Sequence, residues 1–230
     1  YFDGTTDYIE HQGTFTLPTG TNANWTIECW VNLDQVNLNQ GILRVSSTAA
    51  NGNNDDIYFS EQGGYINTAC KGGAIASTTT NYKMYANTWH HIAMVKNSGT
   101  VYLYNNGVYC GSVSDSNDYS GNYYVYGGLY YSSSYCFAGY LSDFKISNSA
   151  IYTTGTSNFT PPTAPLSSSG TSLHIKGTDA SIINKSQGGN LKLVGNTTGS
   201  TTQAKFANTK SMYFDGTGDY ITDLPDDLFA

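Results

Sequence analysis

Carboxylates, histidines and tyrosines are the side chains of this sequence that could do chemistry. Retaining hydrolysis of a glycosidic bond uses two carboxyl groups about 5–5.5 Å apart. Two acids at alternate positions of one strand can supply that spacing. The glutamates are Glu10, Glu28 and Glu61, and no other carboxylate stands two residues from any of them. Asp55 and Asp56 are adjacent, as are Asp226 and Asp227, so in a strand each pair faces opposite ways. Asp143 stands alone in its segment. The sequence therefore predicts a non-enzymatic protein. His90 and His91 follow Trp89 in WHHIAMV with no acid in local reach. They are expected to pack within a strand rather than to ligate a metal.

Calcium takes oxygen ligands from Asp, Asn and backbone carbonyls. Two loops are rich in them, Asn51 to Asp56 (NGNNDD) and Ser114 to Asn122 (SDSNDYSGN), and neither has EF-hand spacing. The candidate metal ligands are Asp3, Asp7, Asp55 and Asp56. Solvated turns are the competing reading. Gly121 to Phe137 (GNYYVYGGLYYSSSYCF) carries Tyr123, Tyr124, Tyr126, Tyr130, Tyr131 and Tyr135. Adjacent tyrosines in a strand put at least one ring outward, and a tyrosine ring offers a flat apolar face with a polar tip. Tyr126, Tyr130, Tyr131 and Tyr135 are the candidate ligand-binding residues. The alternative is that these rings cover the domain or lap against a neighbour.

The elements that must position these groups read as strands throughout. WTIECWVNL (Trp25 to Leu33) and WHHIAMVK (Trp89 to Lys96) alternate and are rich in β-branched and aromatic residues. VYLYNNGVYCGSV (Val101 to Val113) reads as a hairpin turning at Asn105-Asn106-Gly107, residues that tolerate positive φ. In FAGYLSDFKIS (Phe137 to Ser147), strict alternation sends Phe137, Gly139, Leu141, Asp143 and Lys145 one way. Ala138, Tyr140, Ser142, Phe144 and Ile146 go the other. The spacing predicts an all-β, antiparallel jelly-roll β-sandwich. Only PDDLF (Pro225 to Phe229) suggests a helical turn. FTPPTAPLSSSG (Phe159 to Gly170) holds three of the five prolines and reads as a boundary. This gives residues 1–160 as one sandwich, 161–170 as a Pro/Ser linker, and 171–230 as a further segment.

Charged residues are only 12% of the 230, with a net charge of −7. That argues against a nucleic-acid partner, and no apolar run is long enough to predict a membrane span. The polar, nearly neutral composition fits an extracellular or particle-surface protein. Cys29, Cys70, Cys110 and Cys136 show no CxxC spacing, so zinc is not expected. Free thiols are favoured over two disulfides. Sequons at Asn24, Asn158, Asn184 and Asn196 are no more than so Asn- and Thr-rich a chain produces.

YFDGTTDYI at Tyr1 to Ile9 returns as YFDGTGDYI at Tyr213 to Ile221. Such a long period indicates duplicated modules. Gly4 and Gly216 are expected in tight turns of positive φ. The phrase, followed by WTIECWV, NTWHHIAMVKNSGTVYLYNNGVYCGS and GYLSDFKISNSAIYT, resembles the laminin-G-like domain of the concanavalin A-like lectin/glucanase superfamily. With NFTPPTAPL behind the last strand, it is similar to the type found in tandem in bacteriophage structural proteins. The resemblance implies two packed antiparallel sheets, calcium at a sandwich rim, and packing roles for Trp89 and the adjacent histidine. The family's enzymes carry ExDxxE on one strand, and no such run occurs here. Residues 171–230 would begin a second repeat, complete the first sandwich, or add strands to a neighbouring subunit. The expectation favours a slice of a longer array. The expected role is structure and adhesion in a phage virion appendage or decoration, on the virion surface or extracellular. Its partners would be other copies of itself, other virion proteins or a cell-surface glycan. The rival readings are a module of a secreted cellular adhesin and, last, a glycoside hydrolase.

Overall fold

The protein was analysed as a computed structural model. It describes the chain apart from residues 5–7, 12–14, 48–54, 129–135, 153, 178–181, 185–189, 195–197, 201, 207–210, 214–219 and 224–230. At 55–56, 177, 182–184, 190–194, 198–200, 212–213 and 220–223 it describes the backbone alone. The strands are β1 (Phe2–Asp3), β2 (Ile9–Glu10), β3 (Trp25–Leu33), β4 (Gln40–Ser46), β5 (Asp55–Gln62), β6 (Tyr65–Cys70), β7 (Gly73–Ala76), β8 (Trp89–Asn97) and β9 (Thr100–Asn105). They continue as β10 (Val108–Ser114), β11 (Tyr124–Gly127), β12 (Ala138–Ser147), β13 (Thr171–Gly177), β14 (Ile182–Asn184), β15 (Asn190–Val194), β16 (Thr198–Ser200), β17 (Ser211–Tyr213) and β18 (Tyr220–Asp223). A single 3-10 turn, Thr80–Tyr82, is the helical element among the described residues. No helix among them is long and apolar enough to cross a membrane.

Two antiparallel sheets form the sandwich. The larger runs β10-β9-β8-β3-β12-β13-β14-β15-β18, with β1 also on β12. The smaller runs β2-β11-β4-β5-β6-β7. The period-2 pattern explains the core. Ile27, Cys29, Val31 and Leu33 of β3 and Ile92 and Met94 of β8 join Val45, Ile57, Phe59, Ile66 and Val125 of the other sheet in one buried cluster. Leu173 and Ile175 of β13 belong to the same cluster. The predicted hairpin is present: Val108 pairs with Asn105, leaving Asn106 (φ 52) and Gly107 (φ 73) as the two-residue loop. This is the mirror-image turn that suits the strand twist. Beyond it β10, an edge strand, shifts register between Tyr109 and Gly111.

β12 departs from strict alternation. Its pairing with β3 slips between Ser142 and Lys145, and Asp143 takes φ 54. One extra residue in a strand flips every side chain beyond it. Phe137 and Leu141 are buried in the core before the slip, and Phe144 and Ile146 after it. The alternation expected over Phe137 to Ser147 is thus corrected at Asp143.

The Pro/Ser stretch is tied down rather than free-running. Leu166 is buried; its N–H donates to Asp143 Oδ2 (2.6 Å), and its carbonyl accepts from Lys176 Nζ (2.7 Å). Asp143 Oδ1 lies 2.6 Å from His174 Nε2, and His174 Nδ1 lies 2.9 Å from Ser168 Oγ. A strap of residues 148–152 and 154–166 therefore lies over the larger sheet, and β13 continues that sheet beside β12. In the two copies of the repeated phrase, Ile9 lies in β2, paired with β11 of the smaller sheet, and Ile221 in β18, paired with β15 of the larger one. Gly4 has φ +82. Gly216 and the Pro225–Phe229 turn lie outside the described residues.

None of the four cysteines, all among the described residues, forms a disulfide. Burial pushes the Cys70 thiol up to about 11 and the Cys110 thiol up to about 12. His90 is buried and neutral in character. Its Nε2 accepts from the Tyr85 N–H (3.0 Å), and its Nδ1 lies 3.2 Å from Asn105 Oδ1. Burial holds its pKa below the ordinary value, against the opposing pull of the bonds to Asn105 and Tyr85.

Two predictions follow from this packing. A Cβ on Gly107 would sit 2.0 Å from the Phe159 carbonyl oxygen of the strap, whereas one on Gly63 (φ +62) meets nothing within 4 Å. Gly63→Ala should cost about 1 kcal/mol of unfolding free energy and Gly107→Ala distinctly more; equal costs in urea titrations would show that the strap is not seated on the hairpin. Unfolded histidine binds a proton near 6.5 and folded His90 only at lower pH, so the unfolded chain holds the extra proton. Its contribution is complete above about pH 6.5 and is lost as pH falls below it, by at most about 1.4 kcal/mol per pH unit. Denaturation midpoints of the wild type should fall more steeply than those of His90→Gln between neutral and mildly acidic pH.

Candidate functional site

Each sheet has an outer face, and the two are treated differently. On the larger sheet, Thr26, Glu28 and Trp30 of β3 and His91 of β8 point away from the core, yet all are buried. The strap covers Thr26, Glu28 and His91, and Lys205 and Phe206 cover Trp30. Thr26 Oγ1 donates to the Ser149 carbonyl (2.8 Å) and accepts from the Ile151 N–H (3.1 Å). Tyr152 Oη donates to Glu28 Oε2 (2.5 Å), which also lies 3.0 Å from His91 Nε2. The Tyr152 and Phe159 rings stack at 3.9 Å with 6° between planes, and Phe159 meets His91 and Tyr104 edge-on. Lys205 places its ammonium 3.7 Å from the centroid of Trp30, and Phe206 packs edge-on against that ring. Burial and then Glu28 push the Tyr152 phenol far above its ordinary range, so it stays a hydrogen-bond donor.

The smaller sheet's outer face carries no such strap among the described residues. One row across it is set by register: Glu10 opposite Tyr126, Tyr126 opposite Arg44, Arg44 opposite Tyr58, Tyr58 opposite Ala69. Core-facing Ile57 and Phe59 flank Tyr58 and so turn it outward, half-buried. Arg44 is fully buried. Its guanidinium lies 5.3 Å from the Tyr126 ring centroid and donates from Nη2 to Ser46 Oγ (3.2 Å). Tyr126 Oη donates to Glu10 Oε1 (3.2 Å). Tyr124, Asn67 and Gln62 extend the face. Asn67 Nδ2 donates to Gln62 Oε1 (2.6 Å). A half-exposed phenol thus stands beside a fixed cation and amide and hydroxyl groups, a set that can hydrogen-bond and stack but holds no reactive pair.

The structure separates the residues expected to act. Tyr126 belongs to this face but is fully buried under Tyr124 and Cys136, so its ring presents no open surface; burial of the strand row overrides the outward reading. Tyr130, Tyr131 and Tyr135 lie outside the described residues. The segment that holds them leaves at Gly128 and returns at Phe137, whose N–H donates to the Gly128 carbonyl (3.0 Å). Asp7 lies outside the described residues. Asp55 and Asp56 sit in β5 with backbone alone described, and Asp3 pairs with Ala138 in β1. Among the described residues no group of three or more His, Cys, Asp and Glu side chains is placed to hold a metal.

In the Ser114–Asn122 loop the oxygens have partners. Asp115 accepts from Asn117 N (2.9 Å) and Tyr119 Oη (2.5 Å), and Asp118 Oδ1 from Gly20 N (2.7 Å) and Ser120 N (3.0 Å). Lys96 Nζ donates to the Asn117 carbonyl (2.6 Å) and Lys71 Nζ to that of Asp118 (3.2 Å). Burial pushes Asp115 up, but the bonds from Tyr119 and Asn117 and the Lys96 charge outweigh it and hold the carboxyl below its ordinary range.

The glutamates are dispersed. Glu28 is under the strap. Glu61 is buried, accepting from the N–H groups of Asn37 (2.8 Å), Leu38 (3.2 Å) and Gly64 (2.5 Å). Glu10 lies on β2, three strand spacings from β5, or roughly 14 Å. Reading the sequence alone missed Arg44, Tyr58 and the acid partner of His91. The signal for Tyr58 was there, in the Ile57-Tyr58-Phe59 alternation. Glu28 is 63 positions from His91, beyond any local pattern.

A family model described as the concanavalin A-like lectin/glucanases superfamily, of laminin G type, matches residues 3–154. Among solved structures, the chain is similar to a putative carbohydrate binding protein from Bacteroides ovatus, at 12% identity and a TM-score of 0.53 over 96% of this chain and 60% of that one. A heptameric SAP-like pentraxin from Limulus polyphemus aligns at 17% identity and a TM-score of 0.48, over 64% of this chain and 72% of that one. Domains LG4-5 of the mouse laminin alpha1 chain align at 14% identity and a TM-score of 0.44, over 70% and 46%. The chain thus spans 60% of the Bacteroides protein, and that likeness speaks to the fold. No curated protein sequence matches. The family match takes in the strands from Asp3 of β1 through β12, and on it the chain belongs to the concanavalin A-like lectin/glucanases superfamily.

Proposed function

We propose that this chain is a non-enzymatic glycan-binding module that serves adhesion and assembly in a phage virion appendage or decoration. One observation carries the binding reading. The larger sheet spends its outer face on its own strap, while the smaller sheet leaves Tyr58, Asn67 and Gln62 at its surface above a row anchored by Arg44. A flat ring beside a guanidinium, amide and hydroxyl groups matches the alternation of apolar C–H faces and hydroxyls on a sugar. The segment with Tyr130, Tyr131 and Tyr135 departs from Gly128, at the end of β11, and Cys136 returns onto Tyr126. We propose Tyr130, Tyr131 and Tyr135, which lie outside the described residues, as further ligand-binding residues on the strength of their sequence. The repeat of the opening phrase supports display in several copies, where linked weak sites gain through effective concentration. The dispersal of Glu10, Glu28 and Glu61 supports binding without hydrolysis.

Tyr58→Ala should weaken binding to the glycans retained on a mixed glycan array at least about tenfold, roughly 1.4 kcal/mol, with an unchanged melting temperature. Unchanged binding with an intact fold removes the sheet-face site. The virion role predicts peptides of this chain in purified particles by mass spectrometry, and their absence from particles alongside secretion by cells would favour a cellular adhesin.

A further inference from the structure

At one end of the sandwich three loops meet: the β3–β4 connection, the β5–β6 turn and the approach to β8. Their backbone is concentrated in the left-handed region, with Asn37 (φ 69), Asn39 (φ 57), Gly63 (φ 62), Gly64 (φ 86) and Asn87 (φ 56). Non-glycine residues take such angles at a cost, and here buried bonds hold them. The Glu61 carboxylate gathers the N–H groups of Asn37, Leu38 and Gly64 and also Gln40 Nε2 (3.2 Å). Met84 N–H donates to the Gly64 carbonyl (2.9 Å), and Asn87 N–H to that of Leu33 (2.7 Å). The three loops are thereby locked to one another.

On this locked rim stand the two most exposed large apolar side chains among the described residues, Leu38 at 52% and Tyr85 at 50%. Tyr85 is held without being covered. Its N–H donates to His90 Nε2 (3.0 Å), and its ring lies parallel to the buried imidazole at 6.2 Å with 13° between planes. The exposed Lys83 ammonium lies 5.3 Å from the ring centroid. A fixed aromatic ring gains little for folding by facing water, but it lowers the ordering cost of any ligand that stacks on it.

We propose that Tyr85 and Lys83 form a second binding site, for a saccharide bearing an anionic group. The apolar face of the sugar ring rests on the phenol, and its carboxylate or sulfate pairs with Lys83 Nζ. An exposed cation–π contact is weak, so Lys83 exchanges it readily for a charge-assisted hydrogen bond. The net charge of −7 works against anions over the surface as a whole, so recognition of the anionic group rests on Lys83 beside the open ring. This site is on the rim, apart from the sheet face that carries Tyr58, and it does not depend on that face binding anything.

The test is isothermal titration of the full chain with oligogalacturonate, dextran sulfate and neutral dextran. The wild type should bind at least one of the two anionic probes, at least about tenfold more tightly than neutral dextran, and more weakly as salt is added. Which anionic probe binds better identifies carboxylate or sulfate as the recognised group. Tyr85→Ala should lose at least about tenfold in affinity and Tyr85→Phe should retain it. Lys83→Gln should erase the anionic preference. Absence of binding to both anionic probes, or affinity unchanged in Tyr85→Ala, overturns the proposal. Loss in Tyr58→Ala with retention in Tyr85→Ala also overturns it, while leaving the sheet-face site standing.

Discussion

Every residue of β3 is buried, on both faces of the strand. The inward set of Ile27, Cys29, Val31 and Leu33 is what any sandwich strand supplies. The outward set of Thr26, Glu28, Trp30 and Asn32 is not, since it removes a carboxylate and an indole from water. Burying such groups is costly unless each finds a partner. That obligation is met at Glu28 Oε2, though Glu28 Oε1 and Trp30 Nε1 make no hydrogen bond, and it shapes what lies over the strand. It requires His91 across the ladder, the Tyr152 hydroxyl above it, and a strap long enough to bring Tyr152 and Phe159 over the sheet. The strap must in turn be anchored, and Asp143 does this through the Leu166 N–H. The bulge that kinks β12 at Asp143 and the buried carboxylate of Glu28 are two parts of one solution.

The asymmetry of the two outer faces follows. A strap of this length covers one sheet, and the other is left with its polar and aromatic row. Arg44 in that row is as buried as Glu28, and the partners described for it are strand residues, Tyr126 and Ser46. The locked loops at the Tyr85 rim are organised by a third buried charge, Glu61. Glu61 sits where left-handed backbone at Asn37 and Gly64 must be held in a shape that its sequence alone would not favour.

How much of this was legible depends on the distance over which each signal acts. The hairpin at Asn106-Gly107 could be read because its determinant is two residues long. The sandwich could be read because alternation repeats in every strand. The β12 bulge could not: a single extra residue has no composition of its own, and Asp143 looks solitary until His174 and Leu166 arrive from 31 and 23 positions away. The Pro-rich stretch was legible as a place where ladders stop, but not as a strap, since its seat is made of Thr26, Tyr104 and Gly107. The burial of Tyr126 was not legible for a related reason: a strand pattern tells which way a ring points, not what later lies over it.

The margins of the sheets bear on how copies of this protein tolerate one another. β10, at one border of the larger sheet, is broken by its slip at Gly111. β7 and β2, bordering the smaller one, have four and two residues. Short or irregular borders give foreign chains a poor template for main-chain pairing. Molecules packed shoulder to shoulder at high local density would then stay discrete instead of fusing laterally into fibrils, even with so little charge to keep them apart.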